Sequence, residues 1–276
     1  MIIPLDYMAT NEVLNFPRDV WRRKWCVDEH SEHQAKLEMQ TLDWIIRRYT
    51  EPGDTILDPM SGIGTVHYAA TLGRDTIALE LVPRFFEIQG MNIQKMQEVS
   101  GGLTGHVHRY EGDCRMFLPL PNDHISLKPN IVIFSPPYGD LWKVAGKSKF
   151  HTEKHINIGY DAQHANVGQL TNYPLYLEAM KTIYTLCNRS LVIGEMLIII
   201  TKDYVRQKRH IEVGRDNTRV AIDAGFLPFD WHYRYTDPKI FQIIHRKRRE
   251  ESGEDQDISL KIDYEDIIVL RKMWDA

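Results

Sequence analysis

The 276-residue sequence predicts an α/β fold, a mostly parallel sheet with helices on both faces. Three observations predict it. Short apolar runs alternate with stretches of helical period along most of the chain. Two of these runs stop at chemically loaded turns. Asp58-Pro59-Met60-Ser61-Gly62-Ile63-Gly64-Thr65 follows Thr55-Ile56-Leu57, and Ser135-Pro136-Pro137-Tyr138 follows Ile131-Val132-Ile133-Phe134. Finally, Asp58, Glu80 and Asp113 stand at or just beyond the ends of three successive runs. Sheets of this class bind ligands beyond the carboxyl ends of their strands, which is where these residues fall.

The elements follow in order. Residues 1–30, with Trp21, Trp25 and Arg22-Arg23-Lys24, read as an irregular or short helical lead-in. Leu37, Leu42, Ile45 and Ile46 recur at helical spacing, so an amphipathic helix is expected over about 34–49, closed by Glu51-Pro52-Gly53-Asp54. The first strand is 55–58, and a helix over about 65–72 ends at Gly73. A strand over 76–80 leads to a helix over 83–98, with Pro83 suited to its first turn. Strands over 107–111 and 131–134 come next. Residues 139–172 show no period, and an aperiodic stretch of that length is usually functional or mobile. A helix over 173–189, a strand over 196–201, a helix over 213–224 and strands over 227–235 and 264–271 complete seven strands. We read residues 1–276 as a single domain carrying candidate nucleic-acid-recognition insertions at about 139–172, 204–219 and 245–262.

Composition removes several classes. A 43% hydrophobic and 26% charged chain is that of an ordinary globular protein. The formal net charge of -4 excludes a wholly basic binder but leaves room for local basic patches. Three dispersed cysteines, Cys26, Cys114 and Cys187, form no CxxC pair, which argues against a disulfide framework and for a reducing, cytoplasmic setting. The first residues lack the pattern of a secretory signal, and the apolar stretch 191–201 is too short to span a bilayer and contains Glu195. The twelve histidines show no HExxH spacing, so no metal is expected.

Gly62 and Gly64, between a strand and a helix, let the backbone approach a ligand beneath a helix N-terminus. No P-loop lysine follows, which disfavours a nucleoside triphosphate, and the alternative is a tight turn with no ligand. Glu80 lies 22 positions after Asp58, near the spacing at which an acid accepts hydrogen bonds from ribose hydroxyls. Asp113 can accept from an adenine amino group. In Ser135-Pro136-Pro137-Tyr138 the two prolines stiffen the turn. Ser135 Oγ and the Pro136 carbonyl can then receive both N–H groups of an exocyclic amine, aiming its lone pair at a methyl donor. Tyr138 offers a flat face on which an extruded base can stack. The alternative is an ordinary proline turn after a buried strand.

These two motifs resemble those of the S-adenosylmethionine-dependent DNA amino-methyltransferases, the N4-cytosine/N6-adenine family. Residues 58–65 are similar to the family's DPFxGxGT cofactor motif, with Met60 in place of Phe, and residues 135–138 to its catalytic motif. The segment from His30 through Lys36 and Leu37 to Gly53 resembles the helix beside the cofactor's methionine moiety. Leu72-Gly73-Arg74 to Glu80 and Gly112-Asp113-Cys114-Arg115 resemble further family stretches. The resemblance covers most of residues 30–272. It implies a seven-stranded Rossmann-like methyltransferase sheet and S-adenosyl-L-methionine as cofactor. It also implies a cofactor site of Asp58, Pro59, Met60, Gly62, Gly64, Thr65, Glu80, Leu81, Asp113 and Cys114, and a catalytic turn of Ser135, Pro136, Pro137 and Tyr138.

Within the family SPPY leans towards N4 of cytosine, and DPPY or NPPY towards N6 of adenine. The implied activity is site-specific DNA methylation of a flipped base, with a cognate restriction enzyme or a specificity subunit as expected partners. No dedicated target-recognition domain is evident, so DNA contact falls to basic clusters at Lys143 and Lys147, Arg206 and Arg209, and Arg246 and Arg248. Methylation of adenine N6, modification of an RNA base of the guanine-N2 type, and a non-catalytic subunit with this fold remain as alternatives.

Overall fold

A computed structural model of the chain describes residues 12–16, 18–33, 36–137, 166–170, 172–206, 209–235 and 264–276, with backbone alone at 205, 206 and 209. The strands in chain order are β1 (Val13–Leu14), β2 (Thr55–Asp58), β3 (Asp75–Glu80), β4 (Val107–Glu111), β5 (Ile131–Phe134), β6 (Met196–Thr201), β7 (Tyr204–Arg206), β8 (Arg209–Ile211), β9 (Phe226–Tyr235) and β10 (Tyr264–Lys272). The α-helices are α1 (Arg22–Trp25), α2 (Met39–Tyr49), α3 (Pro83–Ser100), α4 (Cys114–Phe117), α5 (Tyr173–Ser190) and α6 (Val213–Asp223). One sheet runs β1-β9-β10-β6-β5-β2-β3-β4, and β7 and β8 form a separate hairpin. β10 is antiparallel to both neighbours, and every other pairing in the large sheet is parallel.

The central strands bury every residue, Thr55–Asp58 and Ile131–Phe134 alike, because helices cover both faces. Successive residues alternate between two cores. Ile56, Ile131, Ile133, Ile198 and Ile267 point to the α2 side and meet Leu42, Ile45 and Ile46. Leu57, Val132, Phe134, Leu197 and Ile268 point the other way and meet Met180, Ile183 and Tyr184 of α5. Full burial of one such aliphatic side chain contributes about 1.5–3 kcal/mol.

The sequence predicts seven strands and the large sheet has eight. The extra strand, β1, lies in the lead-in expected to be irregular or helical. Two residues cannot display a period, and β1 exists because the edge of β9 is open: Tyr233 N donates to the Glu12 carbonyl (2.9 Å). Helix α2 starts at Met39, later than its apolar spacing suggests. The Glu38 carboxylate accepts from Gln40 N and Thr41 N and so sets the N-terminus. The expected helix after β2 is a 3-10 helix, Thr65–Leu72, closed by Gly73 at φ +80°. Among the described residues no helix is long and apolar enough to cross a membrane.

The chain passes from β2 outward to β3 and β4, then returns to β5 beside β2 and continues to β6. Strand order reverses between β2 and β5, which opens a crevice at their carboxyl ends. The two motifs of the sequence leave these strands side by side.

Candidate active site

A single cleft occupies that crevice, with an empty volume of about 1010 Å³ counted out to its open mouth. Its floor is the turn after β2, formed by Asp58, Pro59, Met60, Ser61, Gly62, Ile63 and Thr65. One side is Glu80, Leu81, Val82 and Phe85, with Gly112, Asp113 and Cys114 after β4. The opposite wall is Ser135, Pro136 and Pro137, together with Asn166, Val167 and Ile183. His33, Lys36 and Leu37 close the remaining side.

The floor is held from below by side chains distant in sequence. Gln89 Nε2 donates to Ser61 Oγ and to the Gly62 carbonyl, both at 2.8 Å. Asn92 Nδ2 donates to the Ile63 carbonyl (2.9 Å), while its Oδ1 accepts from Val27 N (3.0 Å). Buried Arg22 donates to Thr65 Oγ1 (3.0 Å) and to the Leu37 carbonyl. The glycines are required by space as well as by φ. A Cβ on Gly62 (φ +53°) would lie 2.7 Å from His33 Nε2, and one on Gly64 (φ +76°) 2.8 Å from Gln89 Cγ and His67 Cδ2. Gly64 therefore lies behind the cleft and shapes its floor without lining it.

Two carboxyls are buried here, Asp58 in the floor and Glu80 on the side next to it. Asp58 Oδ1 accepts from Met60 N (3.0 Å), and burial, reinforced by nearby Glu80, raises the carboxyl to about 8. Glu80 Oε1 accepts from Val82 N (2.7 Å). Burial raises Glu80 to about 7, against the pull of the Val82, Gly62 and Leu81 N–H groups. Across the cleft, burial depresses His33 to about 3 and Lys36 to about 8, each further lowered by neighbouring cations. Lys36 Nζ donates to the His30 carbonyl (3.0 Å) and to the His33 carbonyl, which ties it to the backbone. Two desolvated carboxyls suit a ligand that brings a cation and hydroxyl donors. S-adenosylmethionine carries an ammonium, a sulfonium and a ribose, and these acceptors fit it.

Of the residues singled out in the sequence, the described cofactor-side residues other than Gly64 all line this cleft, as do Ser135, Pro136 and Pro137. Asp113 lines it with its carboxylate occupied: Arg115 Nε and Nη2 donate to it at 2.5–3.0 Å. Tyr138, Lys143, Lys147, Arg246 and Arg248 lie outside the described residues. Arg206 and Arg209 are cross-strand partners in the β7–β8 hairpin. On helix α6 that follows, Arg215 pairs with Glu212 (3.1 Å) and Arg219 with Asp216 (3.4 Å).

Sequence reasoning missed Gln89, Asn92, Phe85 and Asn166. The first two leave a readable trace, since they are amides on the buried stripe of α3 alongside Phe85, Ile88 and Met96. Asn166 leaves none.

Comparison with known proteins adds an independent finding. The N6_N4_Mtase family, described as DNA methylase, matches residues 5–90. This match bears out the resemblance over the first motif, residues 58–65, and residues 135–138 lie outside it; the cofactor of such methyltransferases is S-adenosylmethionine. No curated protein matches the chain. Among solved structures, TrmN from Thermus thermophilus aligns at 15% identity and a TM-score of 0.45 over 85% of this chain, which spans only 48% of TrmN. A SAM-dependent methyltransferase from Methanosarcina mazei aligns at 9% identity and a TM-score of 0.47, covering 83% of this chain and 97% of its own. A methyltransferase from Pyrococcus furiosus aligns at 12% identity and a TM-score of 0.43, covering 88% and 87%.

Proposed function

We propose that this protein transfers a methyl group from S-adenosylmethionine to the exocyclic amine of a DNA base turned out of the duplex, N4 of cytosine ahead of N6 of adenine. One observation carries the reading: a single cleft is bounded by the carboxyls of Asp58 and Glu80 and by the stiff Ser135-Pro136-Pro137 wall. When bound, the cofactor supplies an electrophilic methyl on a sulfonium. Asp58 and the Gly62 backbone hold its methionine end, and Glu80 takes the ribose hydroxyls. Ser135 Oγ and the Pro136 carbonyl accept the two amine N–H groups, which fixes the nitrogen lone pair on the line of attack. Positioning of this kind accounts for large rate factors without a strong base. Serine is a weak base, so the amine proton leaves as or after the N–C bond forms. Cytosine is placed first because Ser135 stands where Asp or Asn leads the adenine-leaning motifs.

The test is incubation with labelled cofactor and mixed genomic DNA and total RNA, followed by nucleoside mass spectrometry. N4-methylcytosine in DNA is the expected product. N6-methyladenine would keep the chemistry and reverse the base. Label confined to RNA would refute DNA as the substrate. Bound cofactor with no transfer would refute the activity. Glu80→Ala is expected to weaken cofactor binding, and unchanged affinity would remove Glu80 from the site.

A further inference from the structure

Among the described residues, the wall that faces the target base contains one polar side chain that the proposed chemistry does not use. Asn166 lines the cleft beside Ser135, Pro136 and Pro137. It opens the short 3-10 turn Val167–Gln169, and its Oδ1 accepts from Gly168 N at 2.9 Å. A backbone N–H can only donate, so this bond settles the amide's orientation: the oxygen is engaged and Nδ2 is the end left over. No described residue accepts a hydrogen bond from Nδ2. The turn is seated on the proline wall, for a Cβ added to Gly168 would lie 3.0 Å from Pro137 Cβ. Val167 is buried in the core cluster that includes Phe134 and Tyr176, which anchors the turn from behind. An amide N–H donor on a seated turn thus lines the same wall as two acceptors, Ser135 Oγ and the Pro136 carbonyl.

That donor and acceptor pattern has a complement among the bases. In cytosine the N4 amine adjoins the N3 acceptor, and in adenine the N6 amine adjoins the N1 acceptor. The N2 amine of guanine adjoins N1–H on the Watson–Crick edge, a donor that would face Nδ2 donor to donor, and meets an acceptor, N3, only on the sugar edge beside the glycosidic bond. We propose that Asn166 Nδ2 donates to the ring nitrogen beside the reacting amine, and so selects an amino base with an acceptor there, cytosine or adenine, over guanine. This rests on the exocyclic-amine reading above and deepens it. A donor left facing another donor once a base fills the cleft is costly, so the contact discriminates by rejection as well as by attraction.

The test separates recognition from the structural role of the turn. Asn166→Asp and Asn166→Ser both retain a side-chain oxygen for Gly168 N, while neither offers an amide N–H. Transfer kinetics on duplex oligonucleotides carrying the target base, or its analogue with the ring nitrogen replaced by CH (3-deazacytosine or 1-deazaadenine), give a two-by-two comparison. The wild type should lose at least about tenfold in kcat/KM on the analogue. Both variants should lose a similar factor on the normal base, show unchanged cofactor affinity, and lose little more on the analogue. Wild-type rates in both variants, or the same analogue penalty in all three proteins, would overturn the proposal while leaving exocyclic transfer intact. N2-methylguanine as the wild-type product would overturn it as well. Transfer by the wild type to no base at all would overturn the proposed function and this inference together.

Discussion

The two walls of the cleft are made rigid by different means. The cofactor floor, residues 58–65, is gripped by side chains from far along the chain: Gln89 and Asn92 of α3 and Arg22 of α1. Among the described residues, no side-chain hydrogen bond reaches Ser135, Pro136 or Pro137. That wall is stiff because proline fixes φ, a covalent property needing no neighbour. The contrast teaches how each wall can fail. The floor should fail by loosening, through residues that never touch the cofactor, and the target wall by loss of individual polar atoms.

The largest effect should break the two walls apart functionally. Ser135→Ala is expected to lower single-turnover methyl transfer about a hundredfold while cofactor affinity, read by calorimetry, moves less than about twofold. A joint loss of both would erase the division of roles. Next, Gly64→Ala forces a Cβ against Gln89 and His67 at a positive φ. It should destabilise the fold by about 1–3 kcal/mol, visible in thermal melts, although Gly64 lies behind the cleft. An unshifted melting temperature would mean the floor is softer than its contacts indicate. Gln89→Leu leaves Ser61 Oγ and the Gly62 carbonyl without their donor, and should weaken cofactor binding about tenfold while transfer at saturating cofactor survives. A fall in saturated rate with intact binding would show that α3 serves the target wall.

The smallest effect concerns pH. Asp58 and Glu80 are raised to about 8 and about 7 by burial. Without ligand, these groups contribute stability that is fully present below their unfolded values and is lost as pH rises through 7–8. A cationic cofactor favours the ionised carboxylates, so its affinity should move the opposite way, weakening by up to about tenfold per pH unit for each carboxyl that ionises on binding as pH falls below 7. Binding there should release protons, measurable by calorimetry in buffers of different ionisation enthalpy. Affinity flat from pH 6 to 8.5 would mean that neither carboxyl titrates on binding.

Much of this architecture was legible in the residues, element by element. The strands at Thr55–Asp58, Ile131–Phe134 and Met196–Thr201 match their predicted bounds, because buried parallel strands read as apolar runs closed by turn residues; the half-buried edge strand Val107–Glu111 matches too, closed by Gly112-Asp113. The short edge strand Val13–Leu14 did not, since its existence depends on an open neighbour and not on its own two side chains. Asn166 was equally invisible. Its place beside Ser135 comes from the seating of Val167 in the core and of Gly168 on Pro137, contacts between positions about thirty residues apart.

What the sequence alone determined is the chemistry at the ends of β2 and β5. Local rules suffice there, for glycine permits a positive φ, proline forbids a free one, and an apolar run ends where polar residues begin. What only the tertiary structure decided is the surroundings of those residues. The raised carboxyls of Asp58 and Glu80, the grip of Gln89, Asn92 and Arg22, and the place of Asn166 in the cleft lining all depend on burial and on contact between distant segments. Desolvation and hydrogen bonding act through space, and a linear order of residues carries no measure of either until the chain has folded.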